Sequence, residues 1–331
     1  ESNHGRRYPV SSSASVFTRA QPIYPQTRSD ISVKTLIHRF THLALMSVAV
    51  AALSAESPYH MGWISVEYAD ADRGRHWPVE LWYPTGQTPA EVTPAVPASP
   101  LFKPWTALPK AEPAAGPFPL LVFSHGTGGN RFASMWIIEH MVAEGYVVLS
   151  LDHYGNNSFH KIPREFLKWW ERAIDVQDVL DRVLADRSLV VQIDPERIGI
   201  IGHSLGGYTA IALAGGQVDR LSPNVPTGPP PEFPETDEVI DFADDPELVA
   251  SFAQWAPRAI DIPIYIVVGA GDRQTPVATD AGNYHRLIQN SQLHLFAAPV
   301  GHYVFLNEGT EMGRQMMPMI LQDPPGVDRA E

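Results

Sequence analysis

Two kinds of hydrophobic pattern follow one another along the chain. Residues 61–68 and 77–83 alternate apolar and polar side chains on either side of a polar turn, which predicts a pair of antiparallel strands. Further along, short runs are apolar at almost every position, as is typical of parallel strands that are covered on both faces. These continuous runs are residues 120–123, 146–151, 197–201, 264–268 and 293–296.

Helical periodicity separates these runs. Residues 164–187 predict a long amphipathic helix, with Val176, Val179 and Val183 on the buried side and Asp175 and Asp178 on the solvent side. Shorter helices are predicted at residues 135–145, 205–214 and 280–289. The alternation of strands and helices predicts an α/β fold with a doubly wound, mostly parallel sheet that begins with antiparallel strands.

Two segments interrupt this alternation within a single domain predicted for residues 58–331. Residues 84–119 are rich in proline and alanine, and they are interpreted as a surface excursion between two strands. Residues 215–260 are proline-rich and then acidic, at a place where one more strand and helix are expected. A reduced strand within 248–255 is one possibility. This insertion is interpreted either as a lid over a site or as an exposed loop without a role.

The first 57 residues are predicted to lie outside the fold, as a disordered extension followed by a signal peptide. Residues 43–55 form an apolar run with small residues at its end, and a basic stretch precedes it. The run is too short to cross a membrane comfortably, so no stable membrane insertion is expected. The pattern favours export to the periplasm or the medium. If the run is instead a buried N-terminal helix, the protein is expected in the cytoplasm.

Charge and cysteine content exclude several classes of function. The formal net charge is −13, which makes nucleic acid a poor partner. The chain has no cysteine, so disulfides, thiolate metal sites and a cysteine nucleophile are all excluded. The histidines lack the spacing of metal ligands, and we expect neither a metal nor another cofactor. The sequence does not indicate an oligomeric state.

The pentapeptide Gly202-His203-Ser204-Leu205-Gly206 carries the strongest chemical signal. It lies between a predicted strand and a predicted helix, which is the context of a nucleophile elbow, a tight turn that presents a serine to a substrate carbonyl. The glycines at both ends allow the close approach of strand and helix that this turn requires. The alternative is a glycine-rich turn with an incidental serine.

Two further residues complete a candidate catalytic set. Asp272 follows the strand at 264–268, and His302 follows the last strand, each directly after a glycine. Catalytic groups on a doubly wound sheet lie on loops at the carboxyl ends of its strands. The order Ser204, Asp272, His302 is the order expected for α/β-hydrolases, so we expect these three residues to form a triad.

A glycine-rich loop is the candidate for an oxyanion hole. Residues 124–129 read Ser-His-Gly-Thr-Gly-Gly and directly follow a predicted strand. Such a loop can direct a backbone N–H at the substrate, and we assign the two donors to the N–H groups of Thr127 and Leu205. A phosphate-binding loop is excluded because the Gly-Lys-Ser/Thr ending is missing.

The substrate-binding residues are predicted from position alone. The loop at residues 152–160 follows a core strand at the edge that carries the serine, so Tyr154 and Phe159 are candidates for lining an acyl or alcohol pocket. A polar surface loop is the alternative. His203 is a third candidate because it precedes the serine, although a histidine there also fits a role in packing.

Several of these motifs together resemble the α/β-hydrolases. The resemblance is carried by residues 78–84, 123–129 and 202–207 and by the loops of Asp272 and His302, and it covers most of residues 60–307. The closest branch is that of predicted dienelactone hydrolases, which resemble platelet-activating-factor acetylhydrolases. True dienelactone hydrolases use cysteine where this chain has Ser204, which argues against that substrate.

This resemblance implies an α/β-hydrolase fold and a cofactor-independent serine esterase that acts on small or short-acyl esters. A lipase, a polyesterase or an amidase would use the same triad, because triad chemistry does not select the acyl chain or the leaving group. A catalytically silent binding protein and an acyltransferase are further alternatives.

Overall fold

A central sheet positions everything described below. The computed structural model describes residues 57–95, 99–216, 260 and 262–329. Its eight strands are β1 (His60–Asp70), β2 (Arg75–Thr85), β3 (Leu108–Pro109), β4 (Phe118–Ser124), β5 (Val147–Leu151), β6 (Ile193–Gly202), β7 (Ile264–Gly269) and β8 (Ser291–Phe296). Its helices are α1 (Met135–Ala143), α2 (Pro163–Leu167), α3 (Glu171–Ala185), α4 (Leu205–Leu213), α5 (Ala281–Leu287), a 3₁₀ helix (His302–Phe305), α6 (Glu311–Met316) and α7 (Pro318–Leu321).

The strands form two sheets within the described residues. Six of them are ordered β3-β1-β2-β5-β4-β6, and β7 pairs in parallel with β8 alone. β1 and β2 form the predicted antiparallel pair, and β2 is also antiparallel to β5. The pairings of β4 with β5, β4 with β6 and β1 with β3 are parallel. The mixed, mostly parallel arrangement predicted from the sequence is confirmed.

Both faces of the large sheet are covered, which explains the uninterrupted apolar runs. Alternate residues of β4 point to opposite sides: Val122 joins a core with α3, and Phe123 joins a second core with α1. β2 does the same with Leu81 and Trp82, both fully buried. Each such side chain contributes about 1.5–3 kcal/mol on burial.

The C-terminal part of the chain is tied back to the large sheet. The side chain of Asn307 accepts a hydrogen bond from the backbone N–H of Met135 at 2.6 Å. It also donates to the carbonyl of Phe132 at 2.6 Å. The carbonyl of Phe305 accepts from the Ser134 hydroxyl at 3.0 Å. These bonds hold the segment after the 3₁₀ helix against the start of α1.

Three details of the sequence prediction are wrong. The long helix is two helices, because the backbone leaves helical geometry at Lys168 (ψ 50°) and the Trp170 side chain is buried. Asp175 is 0% exposed rather than on the solvent side, since the Arg75 guanidinium binds it at two points, at 2.7 and 2.6 Å. Residues 84–119 are not only a surface excursion: Leu108 is buried and β3 pairs with β1.

Several predictions fall on residues that the structure does not describe. They are the N-terminal extension and the signal peptide (1–56 of the predicted 1–57), most of the insertion at 215–260, and the reduced strand within 248–255. They stay predictions. Within the described ranges, no helix is both long and apolar enough to cross a membrane.

Candidate active site

Ser204 lies in a strained turn between β6 and α4. Its backbone has φ 54° and ψ −123°, a conformation that residues other than glycine rarely adopt. The turn is also tightly packed. A Cβ atom on Gly202 would collide with the backbone of Gly206, and one on Gly206 would collide with the carbonyl of Ser124. This is the geometry that the Gly-x-Ser-x-Gly pattern predicts.

The structure brings Asp272 and His302 to Ser204, although 98 residues separate the serine from the histidine. His302 Nε2 lies 2.8 Å from Ser204 Oγ. His302 Nδ1 lies 2.8 Å from Asp272 Oδ2. Asp272 follows β7, and His302 begins the 3₁₀ helix after β8. The three side chains therefore form one hydrogen-bonded series, in which the imidazole bridges the hydroxyl and the carboxylate.

Thr275 is a fourth member of this cluster, and the sequence did not point to it. Its hydroxyl donates to Asp272 Oδ2 at 2.8 Å and lies 3.1 Å from His302 Nδ1. The backbone N–H groups of Gln274 and Thr275 donate to Asp272 Oδ1 at 2.9 and 2.8 Å. Burial raises the pKa of Asp272, but these donors and His302 outweigh it and lower the pKa overall. The carboxylate is therefore held in its charged form.

The glycine-rich loop lies directly beside the serine. A Cβ atom on Gly126 would come within 3.1 Å of Ser204 Cβ. The Gly126 carbonyl accepts from His125 Nδ1 at 2.6 Å and from the Gly129 N–H at 3.2 Å. In a trans peptide the N–H points opposite to the carbonyl, so these two bonds fix the direction of the Thr127 N–H. No described residue accepts a hydrogen bond from the backbone N–H of Thr127 or of Leu205.

Buried polar groups that include His125, Ser124 and His153 hold this loop in place through hydrogen bonds; they are called the buried polar layer below. His125 Nε2 accepts from the backbone N–H of His153 at 3.2 Å. The Ser124 hydroxyl lies 2.8 Å from His153 Nε2. Burial lowers the pKa of both histidines well below the ordinary value, and the charge of nearby Arg172 adds to the effect. Both imidazoles are therefore neutral at neutral pH, with His125 protonated on Nδ1.

His203 contacts the loop that carries His302. Its Nε2 donates to the carbonyl of His302 at 2.9 Å, and its ring centroid lies 4.9 Å from that of His302. Burial lowers the pKa of His203 to about 4, so its ring is neutral at neutral pH. This arrangement favours a role in ordering the His302 loop. The substrate-binding role predicted for His203 stays a prediction.

Tyr154 and Phe159 line a separate cleft of about 340 Å³ at the ends of β2 and β5. Its other walls include His76 and Arg131. Phe159 is 67% exposed, and the Arg131 guanidinium lies over its ring at 5.6 Å. The loop that carries Phe159 also contacts the glycine-rich loop, since the Ser158 N–H donates to the Gly129 carbonyl at 2.7 Å. The structure thus places two of the three predicted binding residues in one cleft, and His203 does not line it.

The residues that sequence reasoning missed are Thr275 and the buried polar layer. A hydroxyl three residues after an aspartate is a signal for a local turn bond, and Asp272–Thr275 has that spacing. The partners in the buried layer come from distant parts of the chain, so no local pattern could have identified them. Among the described residues, no group of three or more His, Asp or Glu side chains is arranged to hold a metal ion.

Comparisons with known proteins agree with this architecture. A family model described as "Alpha/beta hydrolase family" matches residues 121–255. Cutinase est2 from Thermobifida alba is 30% identical over 111 residues, which are 33% of this chain and 34% of the cutinase. The chain therefore matches about a third of the length of that relative. A ferulic acid esterase from Streptomyces cinnamoneus has a similar fold, with a TM-score of 0.50 and 22% identity over 78% of each chain.

The sheet order, the strained serine turn and the similar solved structure define the fold. The chain has the α/β-hydrolase fold, as the sequence predicted, and residues 121–255 match the α/β-hydrolase family model. The dienelactone hydrolase branch that the sequence resembles is not identified by the comparisons and stays a prediction.

Proposed function

We propose that this protein is a serine carboxylic ester hydrolase that acts on small or short-acyl esters through an acyl-enzyme. The observation that carries the proposal is the series from Ser204 through His302 to Asp272, with both contacts at 2.8 Å. A hydroxyl is a weak nucleophile until a base accepts its proton, and the base needs a group that orients it. The similarity of part of the chain to a cutinase supports the same class of reaction.

The proposed reaction has two steps that share one proton carrier. Ser204 Oγ attacks the ester carbonyl carbon while His302 Nε2 accepts the hydroxyl proton. His302 then gives that proton to the departing alcohol, which leaves the acyl group on Ser204. Water attacks the acyl-enzyme in the same way, with His302 again as base and then as acid. Asp272 stabilises the imidazolium through Nδ1 in both steps.

The negative charge on the carbonyl oxygen is assigned to two backbone donors, Thr127 N–H and Leu205 N–H. The two hydrogen bonds to the Gly126 carbonyl fix the direction of the Thr127 N–H. The Leu205 N–H lies at the first turn of α4, directly after the nucleophile. Donors fixed before the reaction stabilise developing charge without reorganisation, and this stabilisation usually contributes more to the rate than any other single effect.

Labelling and turnover together test the nucleophile. A fluorophosphonate probe should label the wild-type protein on the peptide that contains Ser204, and Ser204→Ala should abolish both labelling and turnover of p-nitrophenyl acetate. Ser188→Ala is the matched control because Ser188 is exposed and bonded only to nearby Asp186. Labelling elsewhere, or turnover that survives in Ser204→Ala, would refute the assignment. A wild-type protein that takes up no probe would instead indicate a silent binding protein.

The cleft of Tyr154 and Phe159 is proposed to bind the part of the ester far from the carbonyl. β4 separates the strand that ends at this cleft from the strand that ends at Ser204. Neighbouring strands lie about 4.8 Å apart, so the cleft is roughly 10 Å from the serine. A short ester would not reach it. A short-acyl ester whose alcohol part is long and ends in a phenyl ring would reach it, and that ring would contact the exposed face of Phe159.

This assignment predicts a difference between two substrates. Phe159→Ala should raise KM several-fold for an ester with a distal phenyl ring and leave the kinetics of p-nitrophenyl acetate unchanged. Tyr265→Ala is the control, since Tyr265 is also an exposed aromatic residue but lies on β7. Equal effects of Phe159→Ala on both substrates would show that the loop acts on the catalytic residues and not on the distal group.

Export is proposed from the apolar run at residues 43–55. The full chain, expressed in a bacterial host, should be recovered from the periplasm or the medium with a new N-terminus shortly after this run. N-terminal sequencing of the recovered protein checks this. An intact N-terminus on cytoplasmic protein would contradict it.

A further inference from the structure

Arg172 is a buried cation that connects both sides of the proposed oxyanion hole. The residue lies on α3 and is 1% exposed. Its Nη2 donates to the carbonyl of His125, at the start of the glycine-rich loop. Its Nε donates to the Thr209 hydroxyl at 3.2 Å, and that hydroxyl donates to the carbonyl of Leu205 at 3.0 Å. One guanidinium therefore contacts the loop of one proposed donor and, through Thr209, the residue that carries the other.

Among the residues that the structure describes, Arg172 has no direct ion-pair partner. No carboxylate of the described residues forms an ion pair with it, and its Nη1 has no hydrogen-bond partner there. The closest acidic influence is Asp175, which is already bound by Arg73 and Arg75. Burial lowers the pKa of Arg172 to about 9, so the group is still charged at neutral pH. A buried cation without a counterion is costly, and a fold would do better with an apolar residue unless the charge has a use.

We propose that Arg172 is the positioning residue of the oxyanion hole. Its positive charge also stabilises the oxyanion by electrostatic attraction. This proposal rests on the ester hydrolase function proposed above. The two donors belong to different elements, a loop after β4 and the first turn of α4, so their separation depends on whatever links these elements. Arg172 links them with a rigid planar group whose N–H donors have fixed directions.

The position of the charge favours the transition state over the substrate. A neutral ester gains little from a buried cation, whereas the tetrahedral intermediate carries a full negative charge on oxygen. Arg172 is 1% exposed, and exclusion of water strengthens this attraction. Loss of Arg172 should therefore lower kcat and affect KM little.

The test uses Arg172→Met, Arg172→Lys and Thr209→Val in the full chain. Each variant is measured for kcat and KM on p-nitrophenyl acetate and for inhibition by a trifluoromethyl ketone, to which Ser204 Oγ adds to give an oxyanion adduct. Arg172→Met should lower kcat about ten- to a hundredfold with KM within about twofold, and should weaken the inhibitor by a similar factor. Arg172→Lys keeps the positive charge but lacks the planar guanidinium with its fixed N–H donors. Thr209→Val removes only the link to Leu205. Both variants should therefore show smaller losses of kcat and of inhibitor affinity than Arg172→Met.

Arg73→Met is the matched control. Arg73 binds Glu171 and Asp178 on the same helix, but it does not contact the glycine-rich loop or α4. It should lower the thermal midpoint as Arg172→Met does and leave inhibitor affinity within twofold of wild type. If Arg172→Met fails to fold, Arg172→Lys and Thr209→Val carry the test. The proposal is overturned if the variants that fold bind the inhibitor as Arg73→Met does, or if KM alone changes.

Failure of this proposal is distinguishable from failure of the proposed function. If Ser204 is not a nucleophile, the wild-type protein takes up no fluorophosphonate on Ser204 and forms no covalent adduct of Ser204 with the trifluoromethyl ketone. If only the role of Arg172 is wrong, the wild type reacts with both reagents and the Arg172 variants react equally well.

Discussion

Replacing Ser204 with glycine is expected to give a more stable protein than replacing it with alanine. Both variants lack the hydroxyl, so they differ only in how well each residue tolerates φ 54° and ψ −123°. A residue with a Cβ is destabilised by about 1–3 kcal/mol in such a region, and glycine is free of this strain. Glycine loses more backbone entropy on folding, which opposes the gain by about 0.5–1 kcal/mol. With the middle values of both ranges, the net difference should be about 1 kcal/mol in favour of glycine.

Urea unfolding followed by circular dichroism measures this difference directly. The midpoint for Ser204→Gly should lie above that for Ser204→Ala, with equal slopes. Ser188 provides the control pair, because its φ is not positive and glycine should there be less stable than alanine. If glycine at position 204 is no more stable than alanine, the turn is not strained and Ser204 does not lie in a nucleophile elbow.

Three further predictions concern the residues around the His302 imidazole. Asp272→Asn should lower kcat roughly 10³–10⁴-fold, since a neutral amide does not stabilise the imidazolium; loss of less than about tenfold would contradict this. Thr275→Val should lower kcat about tenfold or more, because it removes one charge-assisted bond to Asp272, whereas Thr275→Ser should retain activity. His203 has a lowered pKa in the folded protein, so its contribution to stability is present above about pH 6.5 and is lost toward pH 4, by up to about 3 kcal/mol. Urea midpoints between pH 7 and pH 4 should therefore fall less for His203→Gln than for wild type.

The sequence predicted those parts of the structure that depend on local pattern. Alternation identified β1 and β2, and continuous apolar runs identified the parallel strands, because a doubly covered strand has no polar face. The proposed triad was predicted for a related reason. Loops at the carboxyl ends of parallel strands meet at one edge, so Asp272 and His302 could be matched to Ser204 without knowledge of the helices between them.

Features that depend on distant partners were not predictable. Asp175 has the helical phase of a solvent-facing residue, and its burial is made favourable by Arg73 and Arg75, which lie 102 and 100 positions away. Arg172 was overlooked for the same reason, since its partner His125 lies 47 residues away. The break between α2 and α3 falls at Lys168, close to the buried Trp170, and amphipathic spacing continues through that break in the sequence. Buried polar contacts of this kind can be assigned only from a three-dimensional structure.

The bonds that hold the segment after β8 in place have a consequence for how the protein would fail. Ser204 follows β6, while Asp272 and His302 follow β7 and β8, which pair with each other. In the proposed triad, the alignment of Ser204 with His302 depends on bonds between distant segments: His203 binds the carbonyl of His302, and Asn307 accepts from the N–H of Met135. Mild heat or denaturant that breaks these bonds should abolish turnover while most of the secondary structure persists. Loss of turnover should therefore precede the loss of the circular dichroism signal.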